Sequence, residues 1–532
     1  MSSSRRRFLG ALTLACVLGG AAAITFLALR HEPSGPGRRP LLVIGLDGGE
    51  WRVIRKLWAE GKLPNLRRLA DRGATATLHT AYNSSPVIWT TIATGVRPHE
   101  HGITDFVVPT AQGDVPISSD LRKVPALWNM LSKVGRRVAV LGYWGSWPAE
   151  PVNGVIVTDR ALLDLPGRVS PSSYLPRLEE AIAEARRDPG LFRIEDEAEL
   201  RDAVLSRAAL RLAGEDYDLL LVYFRSVDIV SHGYWKYFEP EAFGDVAPRE
   251  MELYRDRVTG VYEAVDEEIG RLVAAAPDDS NVMVLSDHGF HASRPELVKV
   301  VLDMDVVLER LGYLVRQQGR SIDFSRTRVY TYGSPSFRRA KFLRFALAGR
   351  EAGGTVRPED REAIRRQLAS DLAAVTYETG APVFHVRNAR ARESREGADF
   401  VVGTSPDRAT EVLLVKGARL TGAVSGINRL SGTHTTTTHG IFLAQGPDID
   451  PGARLDGIDI HDMAPTFLYA LDLPVAEGFA GRAWQELFRP EFRSAHPLRT
   501  IRSWGVRRAA GARTSGADEK LLEELRALGY LN

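Results

Sequence analysis

The chain is 532 residues long, carries a net charge of +2 and has one cysteine, Cys16. At about 100–200 residues per domain that length makes two to four domains, and 44% hydrophobic with 26% charged residues is the make-up of an ordinary globular protein. The near-neutral charge gives no support to nucleic-acid binding, and a lone cysteine excludes intramolecular disulfides and thiolate clusters, so any metal must be held by His, Asp and Glu.

At the amino end, residues 4–9 (SRRRFL) lead into an apolar run over residues 8–29, with no charge before Arg30. The pattern resembles a twin-arginine export signal. The run is long for a signal core and just long enough to span a bilayer, and the arginines ahead of it place the amino end on the cytoplasmic side. Ala21, Ala22 and Ala23 offer a cleavage site, but Ile24 to Leu29 keep the run apolar beyond it, which favours an uncleaved anchor over a cleaved signal. Either way the body of the protein is expected to be exported, to the periplasmic or extracytoplasmic side of the cell membrane. Residues 31–40 (HEPSGPGRRP) are a polar Pro/Gly linker.

The folded part starts with residues 41–46 (LLVIGL), an apolar run that suits a strand covered on both faces, as in a parallel sheet flanked by helices. It ends in Asp47, followed by Gly48 and Gly49. Residues 51–70 read as helical, with Pro64 at a helix start and Leu66 and Leu69 on one face. Residues 82–95 (YNSSPVIWTTIATG) crowd six hydroxyls, and Pro86 is placed to begin a helix with Ser85 at or next to its cap. A serine there faces free backbone N–H groups and the positive end of the helix dipole, which favours a bound anion or an alkoxide; capping is the commoner role of such a residue. His99 and His101 read as turn residues.

Residues 124–134 make a short amphipathic helix stopped by Gly135, and residues 137–143 another apolar strand, so strands and helices alternate as in a doubly wound α/β sheet. Tyr143, Trp144 and Trp147 cluster at the end of that strand, as pocket wall or as packing. Residues 174–212 are helical and charged, an outer layer. A further buried strand, residues 218–224 (DLLLVYF), is followed by Asp228 and His232, which share a face if the segment turns helically. Residues 281–290 (NVMVLSDHGF) repeat the pattern, ending in Asp287 and His288 with Gly289 to turn the backbone away. Ligands in such sheets gather beyond the carboxyl ends of the strands, and three strands each ending in a carboxylate are hard to assign to turn chemistry. Residues 300–402 differ in texture, with basic helical segments and an Arg-rich run, and read as an inserted cap. Strand character returns at residues 411–415 and 441–444; between them, residues 431–440 (SGTHTTTTHG) offer His434 or His439 as a further ligand. Residues 459–471 read as a capped helix and residues 520–530 as a small amphipathic helix docking on the core.

Asp47, Asp228, Asp287, His232, His288 and His434, with the hydroxyl of Ser85, form an oxygen and imidazole set that suits Zn²⁺, with Mn²⁺ or Fe as alternatives. Two divalent ions against three carboxylates leave positive charge over for an alkoxide or a phosphate oxygen.

Taken in order, LLVIGLDG, a hydroxyl ahead of WTTIATG, P-x-x-HGI, D-x-x-x-H, SDHGF and GTH before a late strand, the chain resembles the alkaline phosphatase superfamily in its type I phosphodiesterase/nucleotide pyrophosphatase branch, over about residues 40–490. The resemblance implies an α/β three-layer sandwich with a central, mostly parallel sheet: an anchor or signal (1–30), a linker (31–40), a catalytic core (41–299 and 403–495) interrupted by the cap (300–402), and a C-terminal tail with a docking helix (496–532). It implies that Asp228, His232 and His434 hold one ion, that Asp47, Asp287 and His288 hold the other with Ser85, and that His434 is preferred to His439 because Gly432-Thr433 precedes it. It further implies in-line attack by Ser85 on a phosphate-ester substrate, a covalent phosphoseryl intermediate and its cleavage by water, with phosphodiesters as the expected class. Ile88 stands where nucleotide pyrophosphatases carry an asparagine, which points away from nucleotides. A phosphomonoesterase, a lipid headgroup phosphotransferase and a non-catalytic binding protein of the same fold are the alternatives.

Overall fold

A computed structural model describes residues 39–531 apart from 111–112, 194–196, 245, 318–320, 333–339, 396, 405–409, 411 and 529. The expected membrane segment at 1–30 and Cys16 lie outside the described residues; among these, no helix is long and apolar enough to cross a membrane.

The centre is an eight-stranded sheet. In chain order its strands are β1 (Leu41–Leu46), β2 (Ala74–Leu78), β3 (Val138–Leu141), β4 (Gly154–Val157), β5 (Val169–Ser170), β6 (Leu219–Phe224), β7 (Asn281–Leu285) and β10 (Gly440–Gln445). Two further strands outside it, β8 (His291–Leu302) and β9 (Val424–Thr433), pair with each other. The spatial order is β2-β10-β7-β1-β6-β3-β4-β5. The five strands from β7 to β4 run parallel, and the antiparallel pairings lie toward the edges, β10 with β7 and β2 and β5 with β4. The mostly parallel sheet read from the sequence is therefore present. It follows from apolar runs with no polar face, which need cover on both sides.

Alternation along β1 divides that cover. Leu42, Ile44 and Leu46 enter one core with helices α1 (Trp51–Ala59), α2 (Pro64–Arg72), α4 (Glu197–Ala213), α5 (Ser226–Phe238) and α6 (Arg257–Ala275). Leu41 and Val43 enter the other, against α3 (Ser85–Thr94) and α7 (Met463–Ala470). The result is the expected three-layer sandwich.

Register decides where the chemistry gathers. Gly45 lies opposite Tyr223 on one side and Leu285 on the other, so β1, β6 and β7 end together and the residues after them emerge at one edge. The chain after β7 leaves along β8 and returns along β9, with His291 paired to Thr433. That pairing brings residue 434 back beside residue 288. Between the two strands the chain builds a separate apolar core, from Leu302 through Tyr330 and Phe400 to Ala423. The strand expected at 411–415 forms as Leu413–Val415 but pairs with Val375–Tyr377 inside this insertion, not with the central sheet; a short apolar run carries no information about its partner. The C-terminal helix α8 (Asp518–Ala527) lies against the hairpin strand Gly113–Pro116, and Leu525, Tyr530 and Leu531 pack with Phe106 and Val107.

His101, read from the sequence as a turn residue, closes the short helix Pro98–His101 and is a buried structural histidine. It is fully buried, its Nε2 meets Thr91 Oγ1 at 3.1 Å and its Nδ1 accepts from Ile103 N at 3.1 Å. Burial, with the Arg122 charge adding to it, pushes the imidazole down from 6.5 to about 3. A depressed folded value means that its contribution is full above pH 6.5 and is lost as pH falls from there toward 3, at no more than about 1.4 kcal/mol per pH unit. Urea unfolding between pH 6.5 and about 4 should therefore show a flatter loss of stability in His101→Asn than in the wild type.

Candidate active site

Three carboxylates and three imidazoles meet at the carboxyl edge of the sheet in two groups, Asp47 with Asp287 and His288, and Asp228 with His232 and His434. Within each group one ligand atom from each residue lies within 4.8 Å of the others, and all six side chains are buried. Asp47 and Asp287 follow β1 and β7 directly. Asp228 and His232 sit one turn apart on the inward face of α5, which starts just after β6. His434 comes from the end of β9 and stacks on His288, ring centres 3.6 Å apart.

Each carboxylate is held by one oxygen and aimed with the other. Asp47 Oδ2 accepts from the Tyr223 hydroxyl and from Trp144 Nε1, leaving Oδ1 facing Ser85 Oγ and His288 Nε2, both at 3.4 Å. Asp287 Oδ1 accepts from Gly48 N at 3.2 Å, while Oδ2 faces His288 Nε2 at 3.4 Å. Asp228 Oδ2 accepts from the Tyr530 hydroxyl at 2.5 Å, and Oδ1 faces His232 Nε2 at 3.5 Å. Two of the imidazoles are fixed in the same manner: His232 Nδ1 donates to the Gly432 carbonyl and His288 Nδ1 to the Gly289 carbonyl, both at 3.1 Å, so each turns Nε2 inward. Metal ligands are held this way, by outer hydrogen bonds that set tautomer and direction.

The electrostatics call for cations. Among the described residues every ion-pair contact of these three acids is with a histidine, and Asp228 Oδ1 and Asp287 Oδ2 are buried without a hydrogen-bond donor. Burial drives the Asp228 carboxyl well above its ordinary range and the Asp47 charge adds to it; burial and then Asp47 and Asp228 do the same to Asp287. Burial holds His288 below its usual value, as a neutral imidazole. Buried acids with unpaired oxygens and neutral imidazoles turned toward them fit divalent ions.

Ser85 is the first residue of α3, with Ser84 at the cap and Pro86 in the first turn. Its Oγ lies 3.4 Å from Asp47 Oδ1 and 3.5 Å from His288 Nε2. The other hydroxyls of the helix turn back on it, Thr90 to the Pro86 carbonyl, Thr91 to Val87 and Thr94 to Thr90, a habit of threonine in helices. Among the described residues, Ser85 is the member of that cluster whose hydroxyl reaches one of the three acids. All seven residues expected at the site are thus brought together. His439 is not with them: its ring packs on His79, centres 4.4 Å apart. Of the three aromatics after β3, Trp144 alone reaches the site, while Tyr143 donates to the Trp89 carbonyl and Trp147 to the Pro166 carbonyl. Sequence reasoning missed Tyr223 and Tyr530. A hydroxyl inside the otherwise apolar DLLLVYF was a usable signal for Tyr223; nothing near Tyr530 pointed to the site.

Two glycines make the geometry possible. Gly48 turns with φ 73° and its N–H reaches Asp287. At Gly432 a Cβ would fall 2.2 Å from the Ser231 carbonyl oxygen, so only glycine lets β9 approach α5 and bring His434 to His232.

A family model described as Type I phosphodiesterase / nucleotide pyrophosphatase matches residues 41–421. Among solved structures the chain is similar to murine ectonucleotide pyrophosphatase/phosphodiesterase 5, an inactive variant in complex with AMP, at 15% identity and a TM-score of 0.47 over 85% of this chain and 100% of that one. It is also similar to phosphonoacetate hydrolase from Sinorhizobium meliloti 1021 in complex with phosphonoformate, at 16% identity and a TM-score of 0.44 over 82% of this chain and 95% of that one. No curated protein matches.

Gly432→Ala should force β9 and α5 apart, destabilising the fold by about 1–3 kcal/mol and weakening any divalent-ion binding at the group that includes His434; chemical denaturation and a chelator-competition titration measure the two effects.

Proposed function

Because the chain belongs to the type I phosphodiesterase / nucleotide pyrophosphatase family, whose members hydrolyse phosphate esters, we propose that it is an exported, metal-dependent phosphodiesterase with Ser85 as its nucleophile. The observation that carries this reading is the placement of Ser85 Oγ within 3.5 Å of Asp47 and His288 at a pair of Asp/His groups with unpaired carboxylate oxygens. Asp228, His232 and His434 would hold one divalent ion and Asp47, Asp287 and His288 the other. Zn²⁺ is the best match to this donor set, with Mn²⁺ or Fe as alternatives. Bound there, the ions supply the positive charge that lowers hydroxyl and water pKa values and neutralises phosphate oxygens.

The chain's own groups do the rest. Ser85 Oγ gives up its proton and forms the bond to phosphorus as the bond to the leaving oxygen breaks, so one organic group departs as an alcohol and Ser85 carries the rest of the ester; water then displaces Ser85 and releases a phosphate monoester. Asp47 and His288 hold Ser85 in line. Trp144, Phe106 and Ile117 give the cavity beside Ser85 an apolar wall, and Arg201 and Arg225 bring positive charge to it. A diester, with an organic group on each side of the phosphate, suits a wall of this mixed character. Export rests on residues 4–29, the twin-arginine-like stretch and its apolar run.

Purified protein should contain two divalent ions per chain by elemental analysis and lose its hydrolysis of bis-p-nitrophenyl phosphate on chelation; a well-folded, metal-free and inactive preparation overturns the reading. Ser85→Ala should lower that rate by about 10³-fold or more with metal content retained, and wild type acid-quenched during turnover of the diester should carry a p-nitrophenyl phosphoryl group on Ser85 by mass spectrometry. A lower kcat/KM for p-nitrophenyl phosphate than for the diester is expected; the reverse order would make the enzyme a phosphomonoesterase.

A further inference from the structure

The C-terminal segment lies beyond the family-matched residues 41–421, yet it ends inside the site. It crosses the surface on a line of polar contacts. Arg507 pairs with Glu150 at 3.0 Å, Arg513 with Asp120, Asp518 with Arg160 at 3.6 Å and Lys520 with Glu197 at 2.8 Å. After α8 the chain turns inward, and Tyr530 stacks on Phe106 with ring centres 4.4 Å apart and planes 14° from parallel. Its ring is buried, and its hydroxyl stands 2.5 Å from Asp228 Oδ2 and 3.1 Å from His232 Nε2.

Among the described residues, Asp228 and His232 both stand close enough to accept the one proton of this hydroxyl. His232 Nδ1 is already the donor to the Gly432 carbonyl, so in the neutral imidazole Nε2 carries a lone pair. The Tyr530 proton goes to the carboxylate, the stronger acceptor. That fixes Asp228 with Oδ2 occupied and with Oδ1 free of any hydrogen-bond donor and turned toward His232 and His434. The same arrangement exists at the other group, where the Tyr223 hydroxyl takes Asp47 Oδ2 and leaves Oδ1 to face Ser85 and His288. One tyrosine comes from the central sheet, the other from the end of the chain.

We propose that Tyr530 is a positioning residue for the ion site of Asp228, His232 and His434, so that the site is complete only when the C-terminal tail is docked. The inference rests on the two-ion reading of the site given above.

The test is a competition titration of Zn²⁺ against a chromophoric chelator, on the full-length wild type, Tyr530→Phe and His434→Ala. Phenylalanine keeps the stacking on Phe106 and removes only the hydroxyl, and equal thermal unfolding of the metal-free proteins checks that the tail stays docked. Loss of the outer hydrogen bond of a ligand weakens metal binding by about 10–100-fold. The expected result is such a loss at one of two sites in Tyr530→Phe, an unchanged second site, and recovery of most of the hydrolysis rate at saturating Zn²⁺. Unchanged affinity at both sites overturns the role of Tyr530. Tighter Zn²⁺ binding or faster turnover in Tyr530→Phe also overturns it and makes the tail a plug. A wild type that binds no Zn²⁺, or a His434→Ala protein that binds two ions as tightly as wild type, sinks the two-ion reading itself and is distinguishable from either outcome.

Discussion

Three carboxylates buried within a few ångströms of one another are the constraint on which the rest of the structure depends. Their mutual repulsion in a site closed to water is costly unless cations or protons answer it. The fold accepts that cost by in-register pairing of β1 with β6 and β7, which ends three strands at one level and leaves Asp47, Asp287 and the start of α5 nowhere else to go. Backbone hydrogen bonding across five parallel strands makes the crowding rigid. A sheet with one strand slipped by a residue would turn its side chains to the opposite face and break up the site.

What surrounds the acids converts crowding into direction. A tyrosine, a backbone amide and a second tyrosine each take one oxygen of one carboxylate, so that three otherwise flexible groups present a single lone-pair face. Carbonyls of Gly289 and Gly432 do the equivalent for His288 and His232. Ser85, the proposed nucleophile, is placed by different means, at the first position of a helix whose remaining hydroxyls are spent on its own carbonyls.

Much of this was legible in the sequence, because strong constraints leave local marks. An unbroken apolar run that ends in an acid identifies both a two-sided strand and the edge at which it stops, and Asp228 with His232 shows the helical spacing directly. The hydroxyl-rich segment exposed Ser85 by the position of Pro86. Contacts that bridge long stretches of chain left no such mark. Nothing in residues 413–415 says that they pair inside the insertion, and Tyr530 meets Asp228 across 302 positions. Gly432-Thr433 ahead of His434 favoured it over His439 by resemblance, but the return of β9 along β8 that brings it beside residue 288 left no mark in composition.

The paired strands β8 and β9 form a stalk. At its base stand the two stacked imidazoles of His288 and His434; at its far end hangs a separately packed body with a core of its own. Since the ends of that body are already clamped together, its length can grow or shrink at a closure cost that rises only with the logarithm of size. The stalk therefore insulates the imidazole pair from changes in what is mounted on it, and the body at its far end is free to diversify while that pair stays in place.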